Sequence, residues 1–304
     1  MEQTARKARD FICIDIGGTA IKYGIITSEG KVLESKETPT EAFKGGPALA
    51  RKVHDLCARL KEEYPDAAGI AISTAGVINS DTTQIIHASS AIPNYVGINY
   101  KNVLEDLGLP VEAENDVNCA GLSEADSGAA KGSKSALILT IGTGIGGCFI
   151  EEGRLLPGNT YSACEVGYIP IDGIPFQDQA ATTALCRNVA ERKNEPCDEW
   201  NGRKIFAAAK EGDEICNEEI EAMARKIGEG CALISFILNP EMIVLGGGIM
   251  AQEKILRPYI EESFKESSIP LIADNTRIEF ASHQNEAGMK GALVHFLQKH
   301  PELA

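Results

Sequence analysis

Four short segments carry side chains able to manage phosphate groups and a proton. The first is Asp15-Ile16-Gly17-Gly18-Thr19, closing the apolar run "FICIDI". Glycines after a buried strand let the backbone approach a ligand and turn its N–H groups toward an anion. An Asp at such a strand end can hold hydrated Mg²⁺, and a Thr hydroxyl can donate to a phosphate oxygen. The second is Gly142-Thr143-Gly144-Ile145-Gly146-Gly147, after "SALILTI". The third is Gly246-Gly247-Gly248, after "MIVL", where a flat base or a ribose could come close. Taken singly, the first two are equally hairpin turns and the third a tight strand-to-helix connection. Three glycine turns at strand ends in one chain exceed what turn chemistry asks for. None is a Walker A motif, since no G-x-x-x-x-G-K-[ST] occurs. Nor is the first a dinucleotide fingerprint, because a second strand follows it instead of a helix.

The fourth segment is Glu114-Asn115-Asp116-Val117-Asn118. Asp116 stands where a strand gives way to a helix, which is the place of an N-cap. A carboxylate there can also take the proton of a hydroxyl attacking a γ-phosphoryl group, with Asn115 orienting the same hydroxyl. One residue can serve as both cap and base.

These segments need a scaffold, and the pattern supplies two. "FICIDI" (11–16), "IKYGIIT" and "GKVLESKETP" predict a strand and a hairpin around the Ser28-Glu29-Gly30 turn. Leu49, Val53, Leu56 and Leu60 predict a helix over 47–63 that stops at Pro65. "AAGIAIST" and "VEAEND" read as further strands, with helices expected over 99–107 and 117–129. The pattern then restarts. "SALILTIGTGIGGCFIEEGRLL" repeats the strand, Gly-Thr turn, strand, turn, strand of "FICIDIGGTAIKYGIITSEGKVL". A helix over 217–238 follows, with Ile220, Met223, Ile227, Cys231, Ile234 and Leu238 on one stripe. Strands "EMIVLGGGI" and "TRIEFAS" and a terminal helix over 285–299 complete the chain. The expected fold class is α/β, with an N-terminal domain over 1–117 and a C-terminal domain over 118–287. The terminal helix, about 288–304, is expected to pack back on the first domain, and a cleft between the two is the expected binding site.

Composition bounds the partners. Of 304 residues, 43% are apolar and 24% charged, as in an ordinary soluble globular protein. A net charge of -15 argues against nucleic acid along any extended face, though not against a nucleotide, whose few phosphates Mg²⁺ and backbone dipoles can handle. The nine cysteines are scattered, with no C-x-x-C pair, and fit a reducing cytoplasm. "MEQTARKARD" has no apolar core of a signal peptide, and no long apolar window predicts a membrane span. The five histidines show no metal-ligand spacing and read as surface or incidental. Trp200 reads as a loop anchor.

Together, "DIGGT", "ENDVNCAGLSE", "LTIGTGIGG", "CEVGY" and "NPEMIVLGGGI" resemble, in order and spacing, the ROK family of sugar kinases, repressors and relatives. That resemblance implies the actin/hexokinase/Hsp70-like ATPase fold and ATP-dependent phosphorylation of a sugar hydroxyl, with a homodimer as the assembly. It implies that Asp15, Gly17, Gly18, Thr19 and Lys22, together with Gly142, Thr143, Gly144, Gly146 and Gly147, face the nucleotide phosphates. Gly246, Gly247 and Gly248 then lie near the adenosine, Asp15 holds Mg²⁺ through water, and Asp116 is the base. Glu165, Asn94, Gly76 and Asn115 fall at the family's sugar pocket. Two positions depart from the family pattern: Tyr168 replaces its His, and "IPIDGIPFQDQAATTAL" replaces its cysteine cluster, so no zinc is expected. Gln177 stands where a Glu is often found, and a neutral amide binds a hydroxyl less strongly than a carboxylate. These changes bear on which sugar is taken; the resemblance leans to the 6-hydroxyl of a hexose, N-acetylhexosamine or β-glucoside. ROK repressors carry a DNA-binding helix-turn-helix, for which the ten residues before Phe11 are too few. The alternative reading is a catalytically inactive sugar sensor without a DNA-binding domain.

Overall fold

The computed structural model describes residues 8–283 and 286–304. The chain forms two compact units, one of Met1–Asp126, Pro157–Ser162 and Asn285–Ala304, the other of Ser127–Leu156 and Ala163–Gln284. The main elements are β1 (Asp10–Ile16), β2 (Ala20–Thr27), β3 (Val32–Pro39), α1 (Gly46–Glu63), β4 (Ile70–Thr74), β5 (Val111–Asn115) and α2 (Asp116–Ser127). There follow β6 (Ser135–Ile141), β7 (Ile145–Glu151), β8 (Arg154–Leu155), α3 (Thr182–Lys193), α4 (Gly202–Lys210) and α5 (Glu214–Leu238). The last are β9 (Met242–Gly246), α6 (Glu253–Ser267), β10 (Arg277–Phe280) and α7 (Ala287–Lys299).

The repeat legible in the sequence is a repeat of topology. The first unit's sheet has the order β3-β2-β1-β4-β5 and the second unit's the order β8-β7-β6-β9-β10. In each, three strands form an antiparallel meander and two more add in parallel to its first strand. The parallel pairs require crossovers, which α1 supplies between β3 and β4 and the helices before β9 supply in the second unit.

Period-2 alternation sends β1 to two cores. Ile12, Ile14 and Ile16 pack with Leu49, Val53, Leu56 and Leu60 of α1. Phe11 and Cys13 pack on the opposite face with Met289, Ala292, Leu293 and Phe296 of α7. The Phe11 and Phe296 rings lie 5.3 Å apart, and a Cβ on Gly69 would strike the Phe296 ring at 2.2 Å. Helix α2 stays with this unit, nine residues past the expected boundary at 117, because Cys119 joins that same cluster. In the second unit, Ile220, Met223, Ile227, Cys231 and Ile234 of α5 are buried in one core with β6 and β9.

Of the two readings given for the histidines, surface or incidental, the surface one does not hold for His295, which is only 7% exposed because α7 packs against β1, β4 and β5. Among the described residues, no helix is long and apolar enough to cross a membrane.

Candidate active site

In the first unit, the parallel register of β1 and β4 sets Asp15 beside Ser73, and Ser73 Oγ donates to Asp15 Oδ1 at 2.7 Å. On the antiparallel side Asp15 is in register with Lys22. A Cβ on Gly288, in the first turn of α7, would lie 2.3 Å from the Asp15 carboxyl group, so a side chain there would have to displace that carboxyl. Burial lifts the Asp15 carboxyl above its usual range, against the pull of Ser73 and the Lys22 charge. The turn after β1 is fixed from behind. Gly17 N–H donates to the Ala20 carbonyl at 3.0 Å, and Thr40 Oγ1 donates to the Gly17 carbonyl at 2.6 Å. Gly18 and Thr19 are left exposed.

Asp116 opens α2 with no loop after β5, so the strand end and the helix start share one turn. Its Oδ1 accepts from Val117 N–H and from Asn115 Nδ2, both at 2.9 Å. Asn115 Oδ1 in turn accepts from Val117 N–H at 2.9 Å and Asn118 N–H at 3.1 Å, so Asn115 is the residue that caps the helix. That frees Asp116 from the capping duty the sequence reading allowed it. Burial, then the charge of Asp15, push the Asp116 carboxyl up to about 6, although its hydrogen bonds hold it down. Two carboxylates sharing one desolvated place call for a cation or a proton.

Gly76 joins this group directly, its carbonyl accepting from Asn115 Nδ2 at 3.0 Å. Its φ of +96° and a Cβ position 2.7 Å from the His87 carbonyl explain the glycine. Asn94 is exposed, in a left-handed turn, and is linked to the group through its neighbour Tyr95. The Tyr95 hydroxyl bonds Thr74 Oγ1 at 2.6 Å and Tyr100 at 2.7 Å, and burial, with a smaller contribution from the Asp116 charge, pushes it up to about 12.

In the second unit, Gly142, Thr143, Gly144, Gly146, Glu165, Tyr168, Gln177 and Gly247 line one cavity of about 290 Å³. Gly167 packs against the Ile145 carbonyl, where a Cβ would sit at 2.4 Å, which fixes the Glu165-x-Gly spacing next to the glycine turn. Tyr168 is 66% exposed, so its ring is offered to that cavity and not packed. Gly147 belongs instead to the body of β7, crowded by the Cys164 carbonyl and Val166.

A larger cavity of about 720 Å³ shares Gly142 and Thr143 and runs past Gly248 to Ile249, Trp200 and Phe206. Helix α3 is tied to its rim: Thr182 N–H donates to the Gly142 carbonyl at 2.9 Å and Thr183 Oγ1 to the Thr143 carbonyl at 2.6 Å. Trp200 is the loop anchor expected of it, its Nε1 donating to Glu195 at 2.9 Å, and it is also a wall of this cavity. Apolar walls such as Trp200, Phe206 and Ile249 beside polar Asn201 and Gln252 suit a heteroaromatic base and its ribose. The sequence reading missed this wall, and missed Ser73. A signal for Ser73 existed: Ser73-Thr74 is a polar pair at the end of the otherwise apolar strand "IAIST".

The three glycine turns separate into two kinds. Gly247, with φ +106° and a Cβ position 2.1 Å from the Ile141 carbonyl, is required by the fold. At Gly18, Gly142 and Gly248 an added Cβ would meet nothing within 4 Å, and none has a left-handed φ. The protein itself gives no reason for glycine there; a ligand against the backbone does.

Fold and site together define an α/β protein of the actin-like ATPase architecture, hexokinase type, with open glycine turns at its strand ends. A family model described as the ROK family matches residues 11–299. An uncharacterized protein of Clostridium perfringens is 46% identical over 287 residues, covering 94% of this chain and 97% of that one. A beta-glucoside kinase of Listeria monocytogenes is 33% identical over 294 residues, covering 94% and 96% respectively. Among solved structures, a ROK family protein from Streptococcus pneumoniae TIGR4 in complex with sucrose superposes with a TM-score of 0.82 at 32% identity, covering 96% of this chain and 99% of that one. The chain belongs to the ROK family.

Proposed function

We propose that this chain transfers the γ-phosphoryl group of ATP to the 6-hydroxyl of a hexose, N-acetylhexosamine or β-glucoside, with Asp116 as the general base. It is an ATP-dependent carbohydrate kinase. The observation that carries the reading is the Asn115–Asp116 pair: a carboxylate raised to about 6, no longer needed as a helix cap, with an amide fixed beside it. Asp116 accepts the hydroxyl proton as the oxygen attacks phosphorus, so the developing alkoxide never carries a full charge. Asn115 holds the carboxylate's orientation through Nδ2. Glu165 and Gln177 serve as hydroxyl ligands, and the exposed Tyr168 ring takes an apolar face of the sugar. The larger cavity holds the adenosine, and the open glycines Gly18 and Gly142 let backbone N–H groups reach phosphate oxygens.

The donors around Asp15 fit Mg²⁺: a hard carboxylate oxygen, held by Ser73, with no group of three or more acidic, His or Cys side chains converging among the described residues. Asp15 would therefore hold the ion through water, with phosphate oxygens completing its shell. Bound there, Mg²⁺ would neutralise charge on the β- and γ-phosphates.

The base must be unprotonated to act, so a raised carboxyl sets an acid limit. With burial and then the Asp15 charge raising the Asp116 carboxyl, kcat/KM for the sugar is expected to hold above a pH of about 6. Below that it should fall roughly tenfold per pH unit. A flat profile from pH 5 to 8 would remove Asp116 as the base. The position of transfer is read directly by ³¹P and ¹³C NMR of the product from ATP with glucose or a β-glucoside. Phosphorus coupling to C6 is the expected result; coupling to C1 or C3 would overturn the 6-hydroxyl assignment.

A further inference from the structure

Glu114 has no part in the transfer as described, yet it is buried, 5% exposed, one residue before Asn115. Its Oε1 accepts two hydrogen bonds, from Asn115 N–H at 2.8 Å and Asn118 Nδ2 at 2.9 Å. Asn118 N–H returns to Asn115 Oδ1, and Asn115 Nδ2 goes on to Asp116 Oδ1. The carboxylate thus closes a ring of bonds around the turn that carries Asp116.

Keeping it there is costly. His295 Nδ1 is 3.8 Å from Oε2, too far for a hydrogen bond, and burial holds His295 down to about 3, so it is neutral. Burial raises the Glu114 carboxyl, opposed by Asn118, the Asn115 N–H, Ser80 and, more weakly, the Lys299 charge. An apolar side chain would fill this space without that desolvation cost. What it would not do is accept from Asn115 and Asn118 at once.

We propose that Glu114 is a positioning residue for phosphoryl transfer: Oε1 fixes the Asn115–Asn118 turn and so aims the Asp116 carboxylate. The role belongs to the place of that oxygen and not to its charge, and it rests on the reading of Asp116 as base. Two variants separate place from charge. Glu114→Gln loses the charge but keeps a carbonyl oxygen at the same reach; Glu114→Asp keeps the charge and withdraws the oxygen by one methylene.

The expected result is kcat within about threefold of wild type for Glu114→Gln and about 10- to 100-fold lower for Glu114→Asp. Sugar Kd by calorimetry should stay within about threefold in both, since the loss is in aim and not in binding. Asn115→Ala, which removes the relaying amide, should cost about as much as Glu114→Asp, and the double variant little more than either single one. The proposal is overturned if Glu114→Asp matches wild type, if Glu114→Gln falls as far as Glu114→Asp, or if the two losses simply add. An Asp116→Asn control that retains turnover would instead remove the base reading, whatever the Glu114 variants do.

Discussion

Asp116→Asn lowers kcat by about 10² to 10⁴-fold, the contribution of a general base, while sugar Kd moves by no more than about threefold. The argument starts from the hydrogen bonds. Asn115 Nδ2 and Val117 N–H both donate to Asp116 Oδ1, and an Asn carbonyl oxygen can accept both. The substitution therefore preserves the turn, its reach and its shape, and removes only the ability to take a proton. It also relieves the repulsion between two desolvated carboxylates, Asp116 and Asp15, so stability should hold or rise slightly. Steady-state kinetics with calorimetry checks both halves. Sugar affinity lost in step with kcat would make Asp116 a binding group.

Gly18→Val and Gly142→Val form the second large prediction. An added Cβ at either position meets no protein atom within 4 Å, so the folded protein should accept the branch with little change in melting temperature. A nucleotide phosphate held by the backbone would not accept it. Losing one charge-assisted N–H contact costs roughly 1.5–3 kcal/mol, or about 10- to 100-fold in MgATP affinity. Gly247→Val is the internal contrast, because its Cβ would stand 2.1 Å from the Ile141 carbonyl. There the loss should appear in stability first. Equal MgATP Kd in wild type and the Gly18 and Gly142 variants would remove the phosphate reading of those turns.

Much of this was legible because local chemistry coincided with strand ends. Asp15, the glycines after β1 and β6, and the Glu114–Asn118 segment each combine a buried apolar run with polar residues at its exit. The duplicated strand-turn-strand pattern likewise foretold the three-strand meander that opens each of the two sheets. What was not legible depends on partners far away in sequence. His295 sits in an ordinary apolar helix, and nothing local says that it meets Glu114, 181 positions earlier. Residues 157–162 read as part of the second half, but Tyr161 bonds to Asp81 at 2.8 Å and the segment belongs with the first unit. The cavity wall from Trp200 to Phe206 read only as a loop anchored by Trp200, because its cavity face appears only once α3 and Ile249 are packed beside it. The two glycine kinds within Gly246–Gly248 are indistinguishable by residue type; only the approach of the Ile141 carbonyl separates Gly247 from Gly248.

The central claim is phosphoryl transfer from ATP to a sugar with Asp116 taking the proton. Its most direct test is a coupled ADP-release assay with MgATP against hexoses, N-acetylhexosamines and β-glucosides, run in parallel on Asp116→Asn. The account predicts ADP release that depends on the sugar and disappears in the variant. Release that ignores the sugar, or sugar binding by calorimetry with no release for any sugar, would contradict it.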